Sequence, residues 1–263
     1  MRLTTCTDAT ALDVWSLDQL KNLFKNATTD TKLMGQVRHD KVIFFLHLLG
    51  LDTTGHSYRP HSKVELTSCH DIPPLVDIPY RQEYMENIRV VDNIVKETEQ
   101  LVEDFYGDRS TAYVFTADHG MSEIGNHGDG RQDHLTYISS ALFLISFKFI
   151  DPDNTRTPLL AWGKGVRGPL PDLSFSSHDD YSSPWGLKHL YRRDVEQADI
   201  APLMATLIGI DWPANSVGVL PDVDPSRPGY LDVDERSKAK AALVNSKVIL
   251  EQYRVKHGAS LSI

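Results

Sequence analysis

The chain is 263 residues long with 41% hydrophobic residues, enough to bury a substantial core and to fit one large domain better than two small ones. A formal net charge of -9 with no Lys/Arg run argues against a nucleic-acid-binding surface and is neutral about a local phosphate site. With only Cys6 and Cys69, at most one disulfide can form and a thiolate metal cluster is excluded, so a metal site must use His, Asp and Glu.

The N-terminus "MRLTTCTDATALDVW" lacks the basic stretch and apolar core of a signal peptide. The apolar runs at 42–51 and 138–150 are too short for a hydrocarbon layer of roughly 30 Å, so the chain as given reads as soluble, with no transmembrane segment. Residues 10–26 carry Leu12, Trp15, Leu20, Leu23 and Phe24 at helical spacing and predict one amphipathic helix. The run "KVIFFLHLLGL" (41–51) predicts a strand covered on both faces, ending at Asp52. Residues 83–107 place Ile88, Val91, Ile94, Val95, Leu101, Val102 and Phe105 on one stripe, with Gly107 as the stop of a helix. "TAYVFTA" (111–117) predicts the next strand, ending at Asp118. Strand, helix and strand in that order predict a right-handed crossover in a parallel sheet, with both Asp residues at the carboxyl ends where open α/β sheets bind ligands. Further on, 157–163 reads as a strand, 194–210 as a helix and 215–234 as a structured loop.

Five side chains stand out in that frame. Asp52 and His56 lie four apart in "GLDTTGH", on a turn leaving the first strand, while Asp118, His119 and His127 follow the second. Adjacent side chains on extended backbone diverge, so Asp118 and His119 do not easily serve one ion from one face, and the set suits two ions. Carboxylate oxygen with imidazole nitrogen suits zinc, and manganese as well. Two such ions roughly 3.5 to 4 Å apart clamp the attacking and leaving oxygens of a phosphoryl group. A lone His56 or His127 is more often a hydrogen-bonded loop residue; it is the joint placement at two strand ends that carries the reading. His47, inside an apolar run, reads as a satisfied core residue, and His39, His134, His178, His189 and His257 have no partner pattern. No G-x-S-x-G elbow, G-x-x-x-x-G-K loop or G-x-G-x-x-G fingerprint occurs. Asn26 in "NAT" fits the short glycosylation pattern.

These residues resemble the alkaline phosphatase superfamily, whose members carry a D-x-x-x-H element, a D-H-G element after a strand and a later third His. Within it, "FFLHLLGLDTTGHSYRPHSK", "FTADHGM", "DNTRTPLLAWGKGV", "RRDVEQADIAPLMATLIGI" and "NSVGVLPDVDPSRPGYL" resemble the phosphoethanolamine transferases of GPI-anchor assembly, and "GLDTTGH" the branch that acts on the first mannose. The resemblance covers about residues 8–257. It implies an α/β three-layer domain with a mostly parallel sheet, incomplete here at its N-terminal side. The implied reaction moves phosphoethanolamine from phosphatidylethanolamine to a GPI-anchor precursor glycolipid on the lumenal side of the endoplasmic reticulum membrane, with membrane association through regions outside this chain. By the same analogy Asp52, His56 and His127 hold one zinc and Asp118 with His119 the other. The family's Thr nucleophile and a further Asp ligand fall upstream, so no residue of this chain, including Thr53, Thr54 and Thr116, is taken as the nucleophile. Two other readings are a metal-dependent phosphodiesterase that uses water as acceptor, and a non-catalytic piece produced by faulty gene prediction.

Against the family's pattern, residues 64–82 and 131–150 are extra. The first begins with Val and ends with Gln, whose codons can carry GT and CAG, so retained introns are the expected origin. The second contains "ALFLISFKFI", a β-prone window with one charge and no Pro. It is expected to be the more harmful, because it separates His127 from the strand that anchors its loop.

Overall fold

The computed structural model describes residues 9–60, 83–128, 152–173 and 177–260. Both predicted extra segments, 64–82 and 131–150, lie outside the described residues. The chain divides into two compact units, one made of Met1–Asp108 with Thr116–Pro158, the other of Arg109–Phe115 with Leu159–Ile263.

The first unit is built on helices. Helix α1 spans Thr10–Ala27, α2 Thr31–Val37, α3 Gly50–Tyr58 and α4 Glu83–Tyr106. Leu17, Leu20, Phe24 and Ala27 of α1 are buried, as are Val91, Ile94 and Val102 of α4, the two helices packing together. Aromatic rings close that seam: Phe24 stacks on Phe105 at 4.1 Å and meets Phe44 edge-on at 5.4 Å, geometry that adds to simple area burial. Asp30 caps α2 through its carboxylate, which accepts from Lys32 N at 2.9 Å and Leu33 N at 3.0 Å. Gly107, at φ +69°, ends α4 where the spacing placed the stop.

The buried face of α1 differs from the predicted one. Leu12 and Trp15 are 47% and 61% exposed, and Asp13 takes the inward position instead. The apolar stripe is rotated because the partner of α1 on that side is the polar start of α3, not an apolar surface.

The run 42–49 also departs from expectation. It is extended but belongs to no sheet, and no backbone pairing of Val42–Leu48 occurs among the described residues. Exposure alternates along it, with Ile43, Phe45, His47 and Leu49 outward and the residues between them half-buried, so one face is covered and not two. His47 is thus exposed beside the Phe45 ring, not a core residue.

In the second unit, strands β1 (Ala112–Thr116) and β2 (Leu159–Gly163) match the predicted runs. They pair with each other in an antiparallel ladder whose end is marked by Lys164 N donating to Thr111 O at 2.9 Å. The parallel crossover expected between 41–51 and 111–117 is therefore not formed among the described residues. Each run has the right local character, but pairing is a long-range choice that a lone periodicity does not specify. Gly163, at φ +90°, closes that end of the ladder, since a Cβ there would fall on Thr111 O.

Residues 194–210 form a 3-10 turn, Gln197–Asp199, followed by α5, Ile200–Ile208, shorter than the single helix predicted. A final helix, α6 (Glu235–Ser260), starts at Asp234, whose carboxylate accepts from Ser237 N at 2.7 Å. Leu203, Ala205, Trp212, Leu220, Leu231 and Ala241 form the core of this unit. The 215–234 loop is structured as predicted: Asp222 accepts from Tyr230 N and Leu231 N at 3.0 and 2.9 Å, and Asn245 of α6 holds Leu220 N and Gly218 O, each at 3.0 Å. No helix of the described residues is long and apolar enough to cross a membrane.

Candidate metal centre

Helix α3 begins at Gly50, so the motif "GLDTTGH" lies on a helix and not on the turn the sequence suggested. Asp52 and His56, one helical turn apart, share a face, and Asp52 Oδ1 lies 3.5 Å from His56 Nε2. The loop after β1 brings two more imidazoles to the same oxygen. His127 Nε2 is 3.3 Å and His119 Nε2 3.7 Å from Asp52 Oδ1. The His119 and His127 rings stack at 3.6 Å, and His56 and His127 lie 4.7 Å apart. Asp118 Oδ1 is 3.7 Å from His119 Nε2 on a largely exposed side chain.

Asp52, His56, His119 and His127 thus meet in one place within the first unit, while exposed Asp118 reaches them through its neighbour His119. Asp52, His56 and His127 offer ligand atoms that lie within 4.8 Å of one another, a group able to hold a metal ion. The expected division into separate ligand sets is less sharp than the sequence suggested, because His119 approaches the same Asp52 oxygen.

Backbone carbonyls set the imidazole tautomers. His56 Nδ1 is 2.8 Å from Gly125 O and His119 Nδ1 is 2.9 Å from Gly120 O. A carbonyl only accepts, so in both rings Nδ1 carries a hydrogen, and the neutral form of each ring has its lone pair on Nε2, the atom nearest Asp52. That is the outer-shell arrangement found around metal-bound histidines. Asp52 Oδ1 is itself buried and has no hydrogen-bond partner among the described residues. A buried carboxylate oxygen with three imidazole Nε2 atoms within 3.7 Å, two of them on rings whose other nitrogen donates to a carbonyl, is an arrangement that fits a cation.

The loop bearing His119 and His127 is closed by its own residues. Buried Ser122 accepts from Asn126 N and donates to Asn126 O at 3.0 Å, making a tight turn whose Gly125 has φ +75°. A Cβ at Gly125 would lie 2.8 Å from Gly55 O, and one at Gly55 would lie 2.7 Å from Met121 Cε, so these glycines let loop and helix touch. Asn154 O accepts from Gly120 N at 2.9 Å and from Gly128 N at 3.2 Å, pinning both ends of the loop. Gly128, next to His127, is thus tied to Asn154; the expectation that 131–150 loosens His127 concerns residues outside the described ones.

Sequence reasoning missed several contributors. Gly125 and Asn154 act through backbone atoms, which leave no side-chain signal. Half-buried Tyr84, at the start of α4, has its phenol pKa raised by burial and then by the Asp52 charge. The threonines are accounted for: Thr54 Oγ1 donates to Gly50 O at 2.9 Å and Thr53 Oγ1 to Leu49 O at 3.2 Å, both bonds within α3.

Comparison with known proteins completes the description. No family model and no solved structure matches the chain. GPI ethanolamine phosphate transferase 1 of Aspergillus oryzae is 48% identical over 252 residues, 95% of this chain and 20% of the relative. The proteins of that name from Chaetomium globosum and Candida glabrata are 49% and 43% identical, over 95% and 93% of this chain and 22% of each relative. The chain spans about a fifth of the length of these relatives. Along nearly all of its own length, it is a homologue of part of GPI ethanolamine phosphate transferase 1.

Proposed function

We propose that this chain carries the metal-binding half of a phosphoethanolamine transferase. The donor is phosphatidylethanolamine, the acceptor the first mannose of a GPI-anchor precursor, and the place the lumenal side of the endoplasmic reticulum membrane, where regions outside this chain supply the membrane anchor. The family names of the relatives support the reaction class. The observation that carries the site is the unpartnered Asp52 Oδ1 with three imidazole Nε2 atoms 3.3 to 3.7 Å away.

In this reading Asp52, His56 and His127 hold one zinc ion, and Asp118 with His119 hold a second. Bound there, zinc supplies charge for a developing oxyanion and acidifies a coordinated hydroxyl. The chain's own residues prepare the site. Gly125 O and Gly120 O fix the protons of His56 and His119 on Nδ1, and Asp52 provides the negative charge that draws a cation. No threonine of α3 is assigned as the nucleophile, which the longer family contributes from outside this chain. We assign the three-layer, mostly parallel sheet of the superfamily to the longer protein in the same spirit.

Calorimetry with zinc on the 263-residue protein tests the site. The expected result is binding that is lost when Asp52→Ala and His56→Ala are combined; binding unchanged in that double variant would sink the assignment. Segments 64–82 and 131–150 are a separate question, and we propose that they are retained introns. Their presence in the dominant spliced message would refute that origin.

A further inference from the structure

Asp13 is fully buried, on α1, in a place where the apolar stripe of that helix calls for a hydrophobic residue. Its Oδ1 accepts from Gly50 N at 2.8 Å, the first amide of α3. The residue before it, Leu49, has no capping side chain, so the α3 N-terminus is capped from another helix 37 positions away in sequence. A carboxylate at this end also faces the positive pole of the helix.

The other side of the same pocket is Asn87 of α4, also fully buried. Asn87 Nδ2 approaches Thr54 Oγ1 at 3.5 Å, one turn into α3. Gly50 is wedged between them: a Cβ there would fall on Asp13 Oδ2 and lie 2.6 Å from Asn87 Nδ2 and 2.9 Å from Ala9 O. Only glycine lets α3 seat this deeply. Two oxygens in the pocket, Asp13 Oδ2 and Asn87 Oδ1, have no hydrogen-bond partner among the described residues. Such an arrangement costs stability, and burial accordingly raises the Asp13 carboxyl pKa against the lowering influence of Gly50 N–H, Asn87 and His47.

What the arrangement fixes is the position of α3. Asp52 lies two residues beyond Gly50 and His56 six, about 3 and 9 Å along the helix axis. We infer that Asp13 is a positioning residue for the metal centre: its bond to Gly50 N, with Asn87 as the opposing wall, sets the height and rotation of α3 at which Asp52 and His56 meet His119 and His127. The inference rests on the metal reading of that cluster, but the seating of α3 can be measured without any metal.

The test uses the 263-residue protein as wild type, Asp13→Ala and Asp13→Asn. In the metal-free wild type, the Gly50 amide is expected to exchange with deuterium at least ten-fold more slowly than those of Leu51 and Asp52, which follow it in the first turn and lack intrahelical acceptors. Asp13→Ala is expected to remove that protection and to weaken zinc binding by roughly 10 to 100-fold, the range for loss of an outer-shell partner. Asp13→Asn keeps an oxygen for Gly50 N–H and turns Oδ2 into an N–H that Asn87 Oδ1 accepts once the Asn87 amide rotates, so it should retain protection and zinc affinity within three-fold. An unprotected Gly50 amide in the wild type overturns the inference even if Asp13→Ala fails to fold. So does an Asp13→Ala protein of lowered melting temperature but unaltered zinc affinity, or an Asp13→Asn protein as impaired as Asp13→Ala. A wild type that protects Gly50 yet binds no zinc defeats the metal reading and, with it, the role of Asp13 in a metal centre.

Discussion

Two polar clusters in this protein are built from similar side chains and end in opposite states. Around Asp52, three imidazole Nε2 atoms lie 3.3 to 3.7 Å from a carboxylate oxygen that has no hydrogen-bond partner among the described residues. Around Arg192, in the second unit, each strong group finds a partner. The guanidinium pairs with Asp179 at 2.7 Å and Asp194 at 2.8 Å and sits over the Trp185 ring at 5.6 Å. Buried Ser182 donates to Asp179 at 3.0 Å, and its oxygen accepts from Asp179 N and from Arg192. His178 donates from Nε2 to Leu190 O at 2.9 Å, and its Nδ1 lies 3.1 Å from Ser182 Oγ. Residue types alone do not separate a site from a structural knot; the remaining hydrogen-bonding capacity does.

The comparison can be broken at several levels. The largest effect is expected at the Asp52 cluster, where Asp52→Ala with His56→Ala should reduce zinc affinity by more than the roughly 100-fold upper range of an outer-shell loss. The Arg192 knot, whose two carboxylates already pair with a fixed positive charge, should show no zinc uptake of its own, and calorimetric stoichiometry falling in Arg192→Ala would reverse the roles assigned to the two clusters.

Next in size is Leu203→Ala. Leu203 is fully buried in the core of the second unit, and its truncation should cost about 2 to 5 kcal/mol in denaturant unfolding. A cost below that of Arg192→Ala would mean that the polar knot and not the apolar core holds the unit together.

Arg192→Ala itself should show its effect in the pH dependence. The Arg192 guanidinium and the Ser182 N–H hold the Asp179 carboxyl well below the usual carboxylate range. A depressed folded-state pKa stabilises above the unfolded value near 3.8, and the gain is lost as pH falls below it. The variant should therefore be less stable than wild type at neutral pH, with the gap narrowing as pH falls below about 4. A gap that is constant across acid titration would remove Asp179 as its source. Smallest is Lys21→Ala, which breaks an exposed pair with Glu97 at 2.8 Å; the change in unfolding free energy should stay under about 1 kcal/mol.

What could be read from the sequence follows the same division. The helices 10–26 and 83–107 and the strands 111–117 and 157–163 were legible because each follows a local period. The gathering of Asp52, His56, His119 and His127 was legible because His and Asp clustered in two short motifs are chemically conspicuous, although the first motif lies on a helix and not at a strand end. The pairing of β1 with β2 was not, since ladder partners are chosen by the whole sheet. Nor was the inward turn of Asp13, which breaks the hydrophobic rule of its own helix to meet an amide 37 residues away. Helix α6 also escaped notice: its inward Ala241, Val244, Asn245 and Val248 are interleaved with exposed Leu243, Leu250 and Tyr253, so apolar residues occupy two faces and blur the period.

The extended run at 42–49 has a consequence for how this protein behaves in the tube. Its covered residues are committed to the first unit, while Ile43 and Phe45, 51% and 84% exposed, stand on a backbone that pairs with no strand among the described residues, His47 O accepting from the Ser16 hydroxyl at 3.1 Å. "VIFFLHL" has β-prone side chains, no proline and no charge at neutral pH, so each folded molecule presents a ready template for another. The expected consequence is self-association that starts from the native state, without prior unfolding. Thermal and colloidal stability are decoupled in such a chain: a better-packed core raises the melting temperature and leaves the template in place, and the net charge of -9, spread over the surface, does little to shield a stretch only a few residues long.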